Sequence, residues 1–117
     1  MDEQTKRVVR QMNRNYKISF DFDGTLNTTK GKALAKRLIT QGYTLYIISA
    51  RNKSLYKSVT ELGAELGINE GRIYLTGSNS GKMDKIKELG IQRHYDNNMD
   101  VVKQLKADGV NAILTNY

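Results

Sequence analysis

The chain has 117 residues, no cysteine, one histidine (His94) and a formal net charge of +7 at pH 7. That length suits one small domain with its own core, and the missing cysteines exclude disulfides, thiolate chemistry and any His/Cys cluster for catalytic zinc. No apolar run approaches the roughly 18 residues of a membrane span, and Met1–Arg10 lacks the apolar core of a signal peptide, so a cytoplasmic protein with no membrane partner is expected.

The predicted elements alternate. Met1–Asn15 is a polar, basic helix or arm outside the rhythm, and residues 16–117 form a single domain. Lys17–Phe22 reads as a strand. Lys32–Gln41 reads as a helix with Leu34, Leu38 and Ile39 inward, ended by Gly42 as a C-terminal cap. Thr44–Ser49 holds the continuous apolar run Leu45-Tyr46-Ile47-Ile48, the pattern of a strand covered on both faces. A helix over Ser54–Leu66 ends at Gly67, and a short strand spans Arg72–Leu75. A helix over Lys82–Leu89, a strand at Arg93–Tyr95, a helix over Met99–Ala107 and a strand at Ala112–Leu114 complete the series. Such βαβ alternation with short connections implies an α/β fold with a central parallel sheet covered by helices. Nothing in the pattern specifies an oligomeric state.

Charge is spread unevenly. Residues 1–60 carry 12 Lys/Arg against 4 Asp/Glu, whereas residues 61–117 carry 7 against 8. The basic half includes Lys6, Arg7, Arg10 and Arg14, then Lys30, Lys32, Lys36 and Arg37. A basic surface attracts polyanions; a solvated helix face is the plainer alternative.

The chemistry concentrates at Asp21-Phe22-Asp23-Gly24-Thr25-Leu26, directly after Ile18-Ser19-Phe20. Side chains alternate along a strand, so carboxylates 21 and 23 share a side if the strand persists. If the chain turns after residue 21, the second can swing over the first. Both routes bring like charges together at a strand's C-terminal edge, where open α/β sheets bind ligands. A hard divalent cation such as Mg²⁺, held by few carboxylates plus a phosphate, relieves that repulsion. An EF-hand is excluded, because counting from Asp21 glycine falls at position 4 and position 12 is Lys32.

Other strand ends carry matching groups. Ser49-Ala50-Arg51 closes the second apolar strand, and its hydroxyl is placed to bond a phosphate oxygen. Gly77-Ser78-Asn79-Ser80-Gly81-Lys82 follows a strand and opens a helix, but three residues, not four, separate its glycines and Met83 stands where a P-loop needs a hydroxyl. Lys82 at the helix start still offers a cation beside the positive end of a dipole. Asp96-Asn97-Asn98-Met99-Asp100 supplies two further carboxylates, of which Asp100 also suits a helix first turn. His94 reads as a packed strand residue before a catalyst.

Asp21/Asp23, Ser49, Lys82 and Asp96/Asp100 occur in the order and spacing of the haloacid dehalogenase (HAD) superfamily, and residues 17–114 resemble it. The first motif, DxDGT[L/V], is its specific mark. That resemblance implies a Rossmann-like three-layer sandwich and a Mg²⁺-dependent phosphatase. Asp21 would be the nucleophile forming an aspartyl-phosphate, and Asp23 the general acid and base, its main-chain carbonyl also ligating the metal. Ser49, Lys82 and the loop residues Gly24, Thr25, Ala50 and Arg51 would surround the substrate phosphate. Asp96 would complete the metal site with Asp21 and Asp23, supported by Asn97 and by Asp100, which would orient Lys82 or a metal-bound water. An acid at position 23 fits the phosphatases; threonine there marks the P-type ATPases, and dehalogenases lack it. Many relatives carry a second acid directly after the metal aspartate, where this chain has Asn97.

Members of that superfamily usually select substrates with an inserted cap. Here five residues separate Leu26 from the predicted helix at Lys32, and one helix and one strand fill the 33 positions from Ser49 to Lys82, so no cap is expected. Unless a partner subunit closes it, an open site with a basic first half favours a nucleotide or a nucleic-acid 3′-phosphate end as the phosphate-ester substrate. The Ser-Ala-Arg segment also resembles, more weakly, the S-G-R of the phosphatase domain in polynucleotide kinase-phosphatases. A small-molecule or phosphoprotein phosphatase, and a non-catalytic nucleic-acid-binding module, are the alternatives.

Overall fold

The structure, a computed structural model, describes residues 2–117. Strands β1 (Lys17–Phe20), β2 (Thr44–Ser49), β3 (Ile73–Leu75), β4 (Arg93–Asp96) and β5 (Asn111–Leu114) form one sheet in the order β3-β2-β1-β4-β5, parallel throughout. Helices α1 (Glu3–Arg14), α2 (Thr29–Thr40), α3 (Tyr56–Leu66), α4 (Asn79–Glu88) and α5 (Met99–Ala107) alternate with them. The three-layer Rossmann-like sandwich expected from the sequence is present. No helix among the described residues is long and apolar enough to cross a membrane.

Two apolar layers hold the sheet. Ile18, Phe20, Ile47 and Tyr95 pack on one face with Ala35 and Leu38 of α2 and Val59, Leu62 and Leu66 of α3. Ile48 and Ala112 pack on the other with Ile86 of α4 and Val101, Val102 and Leu105 of α5. The chain winds outward from β1 through β2 to β3, then crosses back to place β4 on the other side of β1. The carboxyl ends of β1 and β4 therefore flank the point where strand order reverses, the crevice in which open α/β sheets bind ligands.

Element boundaries differ from expectation where polar caps or glycine intervene. Helices α2 and α4 each begin three residues early, because the hydroxyls of Thr28 and Ser78 accept the N–H of Gly31 and Gly81 (3.0 and 2.9 Å) and cap new first turns. Lys82 consequently sits one turn inside α4 and not at its start. Strand β1 stops at Phe20, two residues short, as the backbone turns toward Gly24 at φ +75°. The ladder still reaches one residue further, since Asp21 N–H donates to the Tyr95 carbonyl at 2.9 Å. Beyond α2 the expected glycine stop is realised: Gly42 N–H donates to Ile39 and Tyr43 N–H to Leu38, the paired bonds of a Schellman ending.

Helix α1 buries none of its residues and stands outside the two layers. Its C-terminal end ties to the start of β2 and the end of α2, with Thr44 Oγ1 donating to the Arg14 carbonyl (2.8 Å) and Asn13 Nδ2 to the Gln41 carbonyl (2.7 Å). Those anchors lie at the amino edge of the sheet. The cluster Lys6, Arg7, Arg10 and Arg14 is thus at the opposite edge from Asp21 and Asp96.

The loop carrying Asp21–Thr25 is pinned by α2. A Cβ built on Gly31 would overlap the Thr25 carbonyl, so the helix and loop backbones touch because residue 31 has no side chain. Gly31→Ala is expected to cost about 1–3 kcal/mol through overpacking, read as a lowered midpoint in urea denaturation.

Candidate active site

The geometry follows from strand alternation. Ser19 and Asp21 lie two apart on β1 and its extension, His94 and Asp96 two apart on β4, and Ser19 is the register partner of His94. All four side chains therefore share the sheet face covered by α4 and α5. Lys82 reaches down from α4 and closes the group: its Nζ donates to Asp21 Oδ1 at 2.8 Å and to Asp96 Oδ2 at 2.9 Å. The three side chains are 3–7% exposed or fully buried.

Asp21 and Asp96 share one ammonium in unequal surroundings. Asp96 Oδ2 also accepts from His94 Nε2 (2.8 Å), and its Oδ1 accepts the Asn98 N–H (2.9 Å). Burial raises the Asp96 carboxyl, but the His94 hydrogen bond and the Lys82 charge together outweigh it and hold Asp96 below the usual carboxylate range. Asp21 gains less. Apart from Lys82 it has a long 3.5 Å contact from Thr25 Oγ1, and burial, reinforced by the Asp96 charge, pushes its carboxyl up against the pull of Lys82. Burial acts to lower the Lys82 ammonium, yet the two carboxylates hold it above its ordinary value. Of the three protons on Lys82 Nζ, two are committed and one remains for an incoming acceptor.

A cleft of about 410 Å³ opens above this base, lined by Asp21, Asp23, Ala50, Arg51, Asn79, Lys82, Asp96, Asn97 and Asn98. Asp23 stands at its mouth with a half-exposed carboxylate. Arg51 grips that carboxylate with a fork, Nε to Oδ2 at 2.8 Å and Nη2 to Oδ1 at 2.8 Å, while Nη1 reaches Ser58 Oγ (3.1 Å) and the guanidinium lies 5.0 Å over the Phe22 ring. The hydrogen bond to Asp23 raises the already high Arg51 pKa.

Other sequence-predicted residues take varied places. Ser49 is buried at the end of β2, and its Oγ accepts the Arg51 N–H (3.0 Å), shaping the turn that delivers the guanidinium. Thr25 is buried beneath the loop, bridging Asp21 and Thr115 Oγ1 (3.1 Å). Gly24 abuts the Asn97 side chain so closely that a Cβ would overlap its amide. Asp100 does not orient Lys82: it is exposed in the first turn of α5, where its N–H is capped by Asn98, and the ammonium is oriented by Asp21 and Asp96 themselves. His94, read as a packing residue, is fully buried but bonded at both ring nitrogens, and burial pushes its pKa down against the pull of Asp96. Ser19 escaped notice, although its two-residue offset from Asp21 matches that of His94 from Asp96.

No group of three or more His, Cys, Asp or Glu side chains among the described residues forms a metal cage by itself. Mg²⁺ needs none, taking one or two carboxylates and filling its shell with water and phosphate. Asp21 and Asp96 against the single Lys82 ammonium leave one uncompensated negative charge in a buried place, and both line the cleft. The donor set fits a hard divalent cation.

No family model matches the chain, and no curated protein does. Among solved structures, a protein from Vibrio cholerae assigned as a 3-deoxy-D-manno-octulosonate 8-phosphate phosphatase aligns with all of this chain and 81% of its own, with a TM-score of 0.51 and 16% identity. The likeness shows a shared α/β fold.

Two charged contacts of unequal burial make a stability test. Lys82→Met strands two buried carboxylates and is expected to cost about 3–5 kcal/mol. Arg51→Ala opens a partly solvated pair worth less than about 1 kcal/mol. Urea denaturation of both variants at neutral pH measures the contrast.

Proposed function

We propose that the chain is a Mg²⁺-dependent phosphomonoester hydrolase of the haloacid dehalogenase type, working through an aspartyl-phosphate on Asp21. The observation that carries this reading is the buried pair Asp21 and Asp96, bridged by Lys82 at the switch point of the sheet, beneath a cleft whose mouth holds a third carboxylate. A protein that only binds nucleic acid has no use for that arrangement.

Each residue has a separable task. Asp21 is the less stabilised of the two buried carboxylates, hence the more basic and the better nucleophile. One of its oxygens attacks phosphorus as the ester P–O bond breaks. Asp23, released from the Arg51 fork and carrying a proton, delivers it to the leaving oxygen; its carboxylate then takes a proton from the water that attacks the aspartyl-phosphate, releasing phosphate and restoring Asp21. Lys82 keeps Asp21 from repelling the incoming anion, and its third proton faces a phosphoryl oxygen. Asp21, Asp96 and the main-chain carbonyl of Asp23 would hold the Mg²⁺, which supplies charge neutralisation to the transferring group when bound. Arg51 holds Asp23 at the mouth and is the cation nearest an arriving substrate. Ser49, Gly24, Thr25 and Ala50 shape the loops around the phosphate, and Asn97 braces Gly24.

For the substrate, no inserted element among the described residues covers the cleft, and Lys30 and Lys32 stand in the first turn of α2 just beyond the Asp21–Thr25 loop. These features favour a nucleotide or a nucleic-acid 3′-phosphate end. A phosphorylated sugar acid, the substrate class in the description of the Vibrio cholerae protein, is the second reading. It is favoured by the position of α1, which keeps four cationic side chains at the far edge of the sheet.

Turnover of p-nitrophenyl phosphate is expected with Mg²⁺, to cease with EDTA and to return on adding the metal. Asp21→Asn should reduce it to background, and Asp23→Asn by about 10²–10⁴-fold, the span of general acid–base catalysis. No turnover by metal-loaded protein on this ester or a broad phosphate-ester panel sinks the enzyme reading. A side-by-side assay of 3′-phosphorylated oligonucleotides, 5′-nucleotides and sugar phosphates ranks the two substrate classes. A nucleic-acid preference further requires binding that weakens steeply with added salt.

A further inference from the structure

We propose that His94 and Ser19 are positioning residues for Asp96, forming a buried hydrogen-bonded chain that fixes which oxygen of that carboxylate is left for a divalent cation. The proposal rests on the reading of Asp96 as a metal ligand given above.

The chain is continuous. Ser19 Oγ lies 2.6 Å from His94 Nδ1, and His94 Nε2 lies 2.8 Å from Asp96 Oδ2. Its hydrogens are assigned by elimination. An ionised carboxylate only accepts, so Nε2 carries the ring proton toward Asp96. A neutral imidazole then has a bare lone pair at Nδ1, so the Ser19 hydroxyl donates to it. Asp96 thereby selects the tautomer, and Ser19 satisfies the bare Nδ1 and holds the ring in the orientation that points its donor at the metal aspartate, as the outer partners of metal ligands do.

Counting the lone pairs of Asp96 shows what is controlled. Oδ2 takes both the Lys82 ammonium and the His94 N–H, whereas Oδ1 takes one backbone N–H from Asn98. Oδ1 is therefore the oxygen with capacity to spare. Without the imidazole, Oδ2 keeps one donor, as Oδ1 does, and the distinction between the two oxygens is lost.

Packing alone does not account for His94. It is fully buried on the face where Ile48, Ile86, Val101 and Ala112 form an apolar layer, and its register partner on the other side is Ala112. An apolar side chain would fill this place without needing a serine to satisfy a ring nitrogen. Replacing both Ser19 and His94 with apolar groups orphans neither of them, and Asp96, though it loses one donor, keeps the Lys82 ammonium and the Asn98 N–H, which separates positioning from packing.

The deciding experiment is a calorimetric titration of Mg²⁺ into the full-length protein without substrate, beside thermal melts. The double variant Ser19→Ala/His94→Leu is expected to stay folded, with its Mg²⁺ Kd raised about 10–100-fold. His94→Gln, whose amide can offer a donor near the Nε2 position, should recover most of the affinity. A double variant that binds Mg²⁺ as tightly as the unmodified protein overturns the proposal while leaving the metal reading intact. Unmodified protein that binds no Mg²⁺ overturns both. If the double variant does not fold, Ser19→Ala decides: a severalfold weaker affinity in the folded single variant supports the chain, and unchanged affinity rejects it.

Discussion

One ammonium shared between two carboxylates organises this molecule's chemistry. Lys82 is almost out of contact with solvent, and Asp21 and Asp96 arrive from strands on either side of the reversal in sheet order. Any one of these charges would be costly at that depth, and they are tolerable only together. Several remote features serve the meeting: the Ser78 cap that starts α4 a turn before Lys82, the parallel register that sets β4 beside β1, and the Gly31 contact that fixes the loop after Asp21. The site is a product of the topology as much as of its residues.

Around that centre the charges divide into two tiers. The lower tier is buried, doubly bonded and confined. The upper tier, Asp23 with Arg51, is partly exposed at the mouth of the cleft, where solvent weakens the attraction between the two charges. The phosphatase mechanism proposed above asks for that division: a nucleophile held still, and a proton carrier able to meet first a leaving group and then water. The aromatic ring of Phe22 beneath Arg51 gives the guanidinium a resting surface without closing the cleft.

Much of this was readable in the residues. Alternation of apolar runs with helical periods specified the parallel α/β sandwich, and Asp21, Asp23, Lys82 and Asp96 stood out because charge at the end of a buried strand demands a reason. Boundaries were less legible where a side-chain hydrogen bond outweighs hydrophobic period: Thr28 and Ser78 each extend a helix over polar residues that carry no apolar signal. Of the two roles expected for Asp100, the contact with Lys82 is not formed, because α5 turns the side chain to solvent. Ser19 and His94 were hidden by the opposite effect. A serine and a histidine inside apolar strands look like ordinary packing until the register sets them side by side. The role of α1 was also ambiguous in sequence, since charge composition does not reveal which edge of a sheet a helix occupies.

The open cleft also bears on the proposed mechanism, at the stage where Asp21 would carry the phosphoryl group. An acyl phosphate is an activated donor, and its lifetime depends on which acceptor reaches it first. Enzymes that pass such a group to a chosen alcohol exclude water while they do so. Among the described residues no inserted element closes the mouth at Asp23, so bulk solvent would be the recipient nearest to hand. On the proposed mechanism, partition toward hydrolysis, and away from transfer to another molecule, thus follows from the open entrance together with the Asp23 carboxylate that takes the proton of the attacking water.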